Sequence, residues 1–267
     1  VTAASPGGPP SVLADLDAGR RRAAWPDPDA PDGWRVDPSV KADILTRFRD
    51  PASREWDLGG ALRFRDRIGV PPREMPPAAA ADGRAPRIVP GGTSLRAGVR
   101  MGDGVVVMPP SFVNVGAWIG DHVMVDSHVL VGSCAQIGDR VHLAAGVVVG
   151  GVLEPPGARP VIVEDDAFVG AGSALLDGLL VGRRAVIGAG VTLTGTSRLY
   201  DLVDGRLLRG SAGRPLRVPD GSVVVPGTRT LSGPFAARHG LAVAVALVIK
   251  RRDPGTDARV ALEEALR

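Results

Sequence analysis

The sequence predicts a β protein whose centre is a three-sided parallel β-helix, with a small, mainly helical N-terminal region and a short α/β C-terminal cap. Three observations carry this. Leu, Ile, Val or Met recurs every sixth residue from Leu95 to Val149, and again from Val163 to Leu199, seventeen positions in all. The slot after each aliphatic is rich in Gly, as at Gly120, Gly132, Gly138, Gly170 and Gly182. Aromatic residues make up only 4% of the chain. A period of six is neither helical nor a plain strand alternation, and it suits short strands joined by corners, three to a coil. One aliphatic per strand fills a narrow interior that large rings do not fit.

From the N-terminus, residues 1–12 are mostly Pro, Gly, Ser and Ala with little to bury, so a flexible tail is expected. Short helices are expected up to about residue 69, as in VKADILTRF (40–48), because Pro26, Pro28, Pro31, Pro38 and Pro51 interrupt longer ones. The Pro- and Ala-rich stretch 70–86 reads as a linker. The division is therefore 1–86 for tail, helices and linker, 87–210 for the prism, and 211–267 for the cap.

The two runs of the repeat are separated by GVLEPPGARPVI (151–162), an excursion about eight residues longer than one hexad. In the cap, VPDGSVVVP (218–226) reads as a strand after a turn, LAVAVALVI (241–249) as a buried strand, and 256–267 as a terminal helix. Solenoid ends need such a cover.

Composition excludes several functions. There are 32 Lys and Arg against 29 Asp and Glu, a formal net charge of +3. That is too weak for a nucleic-acid binder. Cys134 is the only cysteine, which rules out an internal disulfide and is expected to pack as a small buried residue. No signal pattern or membrane-length apolar run is present, so a cytoplasmic protein is expected. Prisms of this kind serve as acyltransferases, as scaffolds and as zinc hydratases. His122 and His128 are six residues apart and belong on different sides, so no metal site is expected.

The specific signal lies in MVDSHVLVGSCAQIG (124–138), continued by HLAAGVVVGGVLEP (142–155), IVED (162–165), TSRLYD (196–201) and VPDGSVVVPG (218–227). From about Arg87 onward this resembles the tetrahydrodipicolinate N-succinyltransferase family. The resemblance implies a left-handed β-helix, succinyl-CoA as co-substrate, and an amino or imino dicarboxylate as acceptor in the diaminopimelate route to lysine. It also implies a homotrimer with interfacial active sites.

The resemblance places the family's catalytic, substrate-binding carboxylate on Asp126 and a substrate-binding guanidinium on Arg87 of RIVP (87–90). Arg198 is a second candidate for a substrate carboxylate, and Lys250 for a CoA phosphate, because guanidinium and ammonium groups suit those anions. Three departures stand out. The family's second catalytic carboxylate is replaced by Ala174 of GAGSA (170–174), its Trp after MVDT by His128, and a Thr-Arg pair by Thr256-Asp257. His128 is accordingly a candidate auxiliary to Asp126. A related N-acyltransferase with another donor or amine in natural-product biosynthesis, and a non-catalytic trimeric scaffold, stay open at this point.

Overall fold

A computed structural model describes residues 11–58, 62–73, 84–211 and 213–257. The six-residue period becomes a prism of three parallel sheets. Each face is named here by one outward residue. The Trp118 face stacks Arg100–Met101, Trp118–Ile119, Gln136–Ile137, Ile162–Val163, Leu180–Val181 and Arg217–Val218. The Met124 face begins with Arg87–Ile88 and rises through Val106–Val107, Met124–Val125, His142–Leu143, Phe168–Val169 and Val186–Ile187. The Leu130 face runs from Ser94–Leu95 to Thr192–Leu193.

In each two-residue strand the second side chain points inward. Val107, Val113, Ile119, Val125, Val131, Ile137 and Leu143 are all 0% exposed and belong to one continuous core. Each such side chain contributes about 1.5–3 kcal/mol of burial free energy. Above the first rung of the Met124 face, where Arg87 and Val106 are nineteen apart, partners are eighteen residues apart, as in Trp118 and Gln136, until the excursion over 151–161 widens the spacing, as in Gln136 and Ile162.

Two expectations need correction at the upper end. Leu199 continues the six-residue step in sequence but leaves the prism. It lies in the strand Arg198–Asp201, which forms a hairpin with Arg206–Arg209 and pairs with Ala246. Its side chain is fully buried and closes the top of the core, a different way of satisfying the same apolar residue. The repeat instead resumes at Val218, opposite Val181, and Val224, opposite Ile187. The parallel ladder thus runs beyond the expected boundary at 210. Ser222–Thr230 then continues straight past the corner and returns as Ala242–Arg251, a long antiparallel hairpin.

The N-terminal region is less helical than expected. It has two helices, Val12–Asp17 and Pro38–Arg49, and two small hairpins, Ala24–Pro26 with Trp34–Val36 and Ser53–Leu58 with Leu62–Arg67. The second helix, anticipated around VKADILTRF, starts where Asp37 accepts the Ser39 amide and Pro38 fills the first turn. This region packs on the Trp118 face. Ala24 and Trp34 cluster with Ile162 and Leu180, and Leu13, Leu16, Val40 and Ile44 with Val115 and Cys134. The tail over 1–10, most of the linker and the terminal helix beyond 257 lie outside the described residues.

Candidate functional site at one corner of the prism

Asp126 stands at the corner between the Met124 and Leu130 faces. Its amide donates to Leu143 O at 2.9 Å, and Ser111 Oγ donates to Asp126 O at 2.9 Å while accepting the Val129 amide. These bonds fix the backbone on the coils above and below. The carboxylate is half-buried, and its Oδ1 accepts the Ser127 amide at 2.7 Å. Among the described residues Oδ2 receives no hydrogen bond, which leaves it able to accept a proton.

His128 shares this corner, exposed, with its amide donating to Pro110 O at 2.7 Å. Its φ of 62° belongs to the corner geometry, since His122, Cys134, Arg140 and Arg184 have the same feature at other corners. The positive φ therefore marks architecture and not chemistry. His122 stands on the corner between the Trp118 and Met124 faces, apart from His128, as the six-residue spacing requires.

Directly above Asp126 the corner changes character. The next three coils turn through Ala144-Ala145-Gly146, Gly170-Ala171-Gly172 and Gly188-Ala189-Gly190. Each is tied to the coil below through Gly146 N to Ser127 O, Gly172 N to Ala145 O and Gly190 N to Ala171 O, all at 2.9 Å. A Cβ on Gly172 or Gly190 would meet nothing within 4 Å. The corner between the Trp118 and Met124 faces is the opposite in character, carrying Asp139, Arg140, Asp165, Asp166, Arg183 and Arg184. A strip of small residues three coils long, roughly 14 Å at the ladder spacing, thus leads upward from one carboxylate.

Two residues beyond Gly190, Thr192 lines a pocket of about 260 Å³ beneath the long hairpin. Arg198, Arg229, Thr192 and Ser197 supply its polar groups, and Val243 to Ala246 its apolar wall. Arg229 Nε is buried without a hydrogen-bond partner. Two guanidiniums, one with an orphaned buried Nε, and no carboxylate among the described lining residues give this pocket the chemistry that suits an anion. Sequence reasoning missed Arg229. The repeated Gly-Ala-Gly at 170–172 and 188–190, eighteen residues apart, was the available signal for the strip that leads there.

The predicted residues are thereby sorted. Arg87 opens the Met124 face two rungs below Met124, about 10 Å away along the prism axis. Arg198 is in the upper pocket, three or more rungs from Asp126, too far to share a small dicarboxylate with it. Lys250 pairs with Val223 at the other end of its strand, roughly 20 Å from Ala244, and its Nζ is bonded to Asp253 at 2.8 Å. The single chain does not bring it to Arg198. Ala174 stands on the Leu130 face between Val148 and Thr192, half-buried. Cys134 is fully buried, and burial pushes its thiol up to about 12, in keeping with a packing role.

The stacked hexads and the carboxylate at a bare corner define a hexapeptide-repeat transferase with the left-handed parallel β-helix fold. Residues 160–195 match the family described as hexapeptide repeat of succinyl-transferase, and 116–151 the bacterial transferase hexapeptide. Curated relatives extend the likeness to nearly the whole chain. The 2,3,4,5-tetrahydropyridine-2,6-dicarboxylate N-succinyltransferase of Aromatoleum aromaticum is 41% identical over 96% of this chain and 88% of its own length. Those of Polynucleobacter asymbioticus and Idiomarina loihiensis are 38% and 40% identical, covering 96% of this chain and 88% and 87% of their own. The chain belongs to the tetrahydropyridine-dicarboxylate N-succinyltransferase family.

Proposed function

We propose that this protein transfers the succinyl group of succinyl-CoA to the amine of opened, hydrated tetrahydrodipicolinate, in the diaminopimelate route to lysine. The carrying observation is the strip of Ala and Gly that rises from the Asp126 carboxylate to Gly190, two residues from Thr192 of the Arg198 and Arg229 pocket. A pantetheine arm is slender, and its extended length is about that of five residues, roughly 17 Å. The strip and the pocket offer a path of matching length, with the thioester at Asp126 and the CoA phosphates at the two guanidiniums.

The chemistry follows from that placement. Asp126 hydrogen-bonds the acceptor amine and takes its proton as nitrogen attacks the thioester carbonyl. Backbone N–H groups of the corner stabilise the oxyanion, and collapse gives the amide and the CoA thiol without a covalent enzyme intermediate. Arg87 binds an acceptor carboxylate, and His128 lines the same corner as an auxiliary group.

A homotrimer completes this reading. The Trp118 face is covered by the chain's own N-terminal region. The two faces flanking Asp126 present Met124, Phe168 and Val186, and Leu130, Val148 and Ala174, with partial exposure. Apolar strips of that kind are suited to packing against neighbouring prisms. Among the described residues no helix is long and apolar enough to cross a membrane. A cytoplasmic location accords with the pathway.

Thiol release from succinyl-CoA with tetrahydrodipicolinate tests the reading, and Arg229→Ala is expected to raise KM for succinyl-CoA about tenfold. Release only with another acyl-CoA or amine would replace the substrate pair and keep the site. No turnover and no CoA binding would leave a scaffold.

A further inference from the structure

A second cavity, of about 250 Å³, lies on the Trp118 side of the prism, where the turn over residues 31–33 meets the excursion and the last coil. Its charged lining is Asp32, Arg159, Glu164, Arg214 and Arg217. It is separate from the Asp126 corner, since its floor belongs to the face that the N-terminal region covers.

The three guanidiniums are not equally partnered. Arg159 is almost fully buried and each of its guanidinium nitrogens is engaged: Nη1 on Asp32, Nε on Gly178 O, and Nη2 on Pro215 O and Leu216 O. Arg217 Nη2 pairs with Glu164 at 3.1 Å and Asp220 at 2.8 Å, and Trp34 Nε1 donates to the other Glu164 oxygen at 2.8 Å. Both lining carboxylates are thus matched to a guanidinium. Arg214 is the third cation. It donates from Nη2 to Pro31 O at 2.9 Å, and among the described residues no carboxylate pairs with it. Burial pushes the Arg159 pKa down, partly offset by Asp32, while Arg217 and Arg214 push it further down. Three guanidiniums therefore line one cavity, and of these Arg159 is matched to Asp32, Arg217 to Glu164 and to Asp220 just outside the lining, and Arg214, among the described residues, to none.

We propose that this cavity binds a small oxyanion, phosphate or a short dicarboxylate, held by Arg214 and the unspent donors of Arg217. A guanidinium offers a planar fork that meets two oxygens at once, and such an anion would pair with Arg214, the one cation of the lining that no described carboxylate meets. The occupant would touch three segments distant in sequence: the turn at Asp32, the excursion at Arg159 and the last coil at Arg214. Binding a junction that exists only in the folded state stabilises that state by mass action. The site is thus a stabilising effector site, independent of acyl transfer.

The test titrates inorganic phosphate and, separately, succinate into the purified full chain, with ionic strength held constant by sodium chloride. Melting temperature and calorimetric heat are read together. At least one anion is expected to give a saturable rise in melting temperature with a matching binding isotherm. Arg214→Ala should weaken that binding about tenfold, the loss of a charge-assisted hydrogen bond, and Arg214→Lys should weaken it less. Arg198→Ala and Arg229→Ala, which alter the upper pocket, should leave it unchanged. The absence of saturable binding by both anions, or Arg214→Ala binding like the unaltered chain, overturns the proposal. Saturation lost in Arg229→Ala and kept in Arg214→Ala also overturns it, by assigning the anion to the other pocket.

Discussion

The guanidinium carbon of Arg22 lies 4.1 Å from the centre of the Trp118 ring, and its Nε donates to Gln136 Oε1 at 2.6 Å. Trp34 and Trp25 stand 5.1 Å and 5.9 Å away, and Arg100 covers Trp118 at 4.6 Å. Burial, and then Arg100, push the Arg22 pKa down to about 9 against the opposing pull of Asp139 and Asp165, so Arg22 stays a cation at neutral pH. This contact pins the N-terminal region to the prism. Arg22→Ala removes a desolvated cation–π contact and strands a buried amide. Denaturant unfolding should show a loss of about 2–4 kcal/mol.

Asp126→Asn keeps the size of the side chain and the bond from Ser127 but cannot accept a proton. Turnover with succinyl-CoA should fall by about 10²–10⁴-fold while the melting temperature stays within about 2 °C. Substantial retained activity would mean that another group takes the proton.

Ala171→Leu places bulk on the bare corner at an exposed position, without demanding a left-handed backbone. KM for the acyl-CoA should rise about tenfold or more, with stability changed by no more than about 0.5 kcal/mol. Arg183→Leu, on the opposite corner, is the control and should leave KM unchanged. Equal effects from both would show that the strip is not the path of the co-substrate.

Lys41 is fully buried, and its Nζ donates to Ala158 O, tying the helix Pro38–Arg49 to the excursion. Burial lowers its pKa to about 8 from 10.5, against a smaller opposing influence of Cys134. Because the folded value is the lower one, the unfolded chain binds more protons between about pH 8 and 10.5. The penalty for burying the ammonium is complete below pH 8 and is relieved as pH rises through that window. Unfolding free energy should therefore gain on the order of 1–3 kcal/mol from Lys41 across it, superposed on other titrations. Lys41→Met should remove that increment, as measured by urea unfolding at each pH.

The sequence was sufficient for the prism because a strict six-residue step can satisfy its apolar residues only in stacked three-sided coils. Val125, Val131 and Ile137 needed no other information, and neither did the separation of His122 from His128. The wider motif around MVD singled out Asp126 and the family. What the sequence left open depended on contacts between distant segments. Leu199 keeps the six-residue step, yet pairing with Ala246 draws it out of the ladder. Arg198 looked equivalent to Arg87 as a carboxylate binder, but stacking places it three or more rungs above Asp126. Arg229 gained significance only when the long hairpin folded it over Thr192 and Ser197.

The amino-acid sequence by itself determined the repeat, the core and the carboxylate, since these follow from local periodicity and a short motif. Tertiary structure decided which corner is bare, where the guanidiniums gather and which face the N-terminal region covers. Those depend on the register between coils and on the two departures from the repeat, at 151–161 and 194–216. Neither register nor departure is encoded within a single hexad.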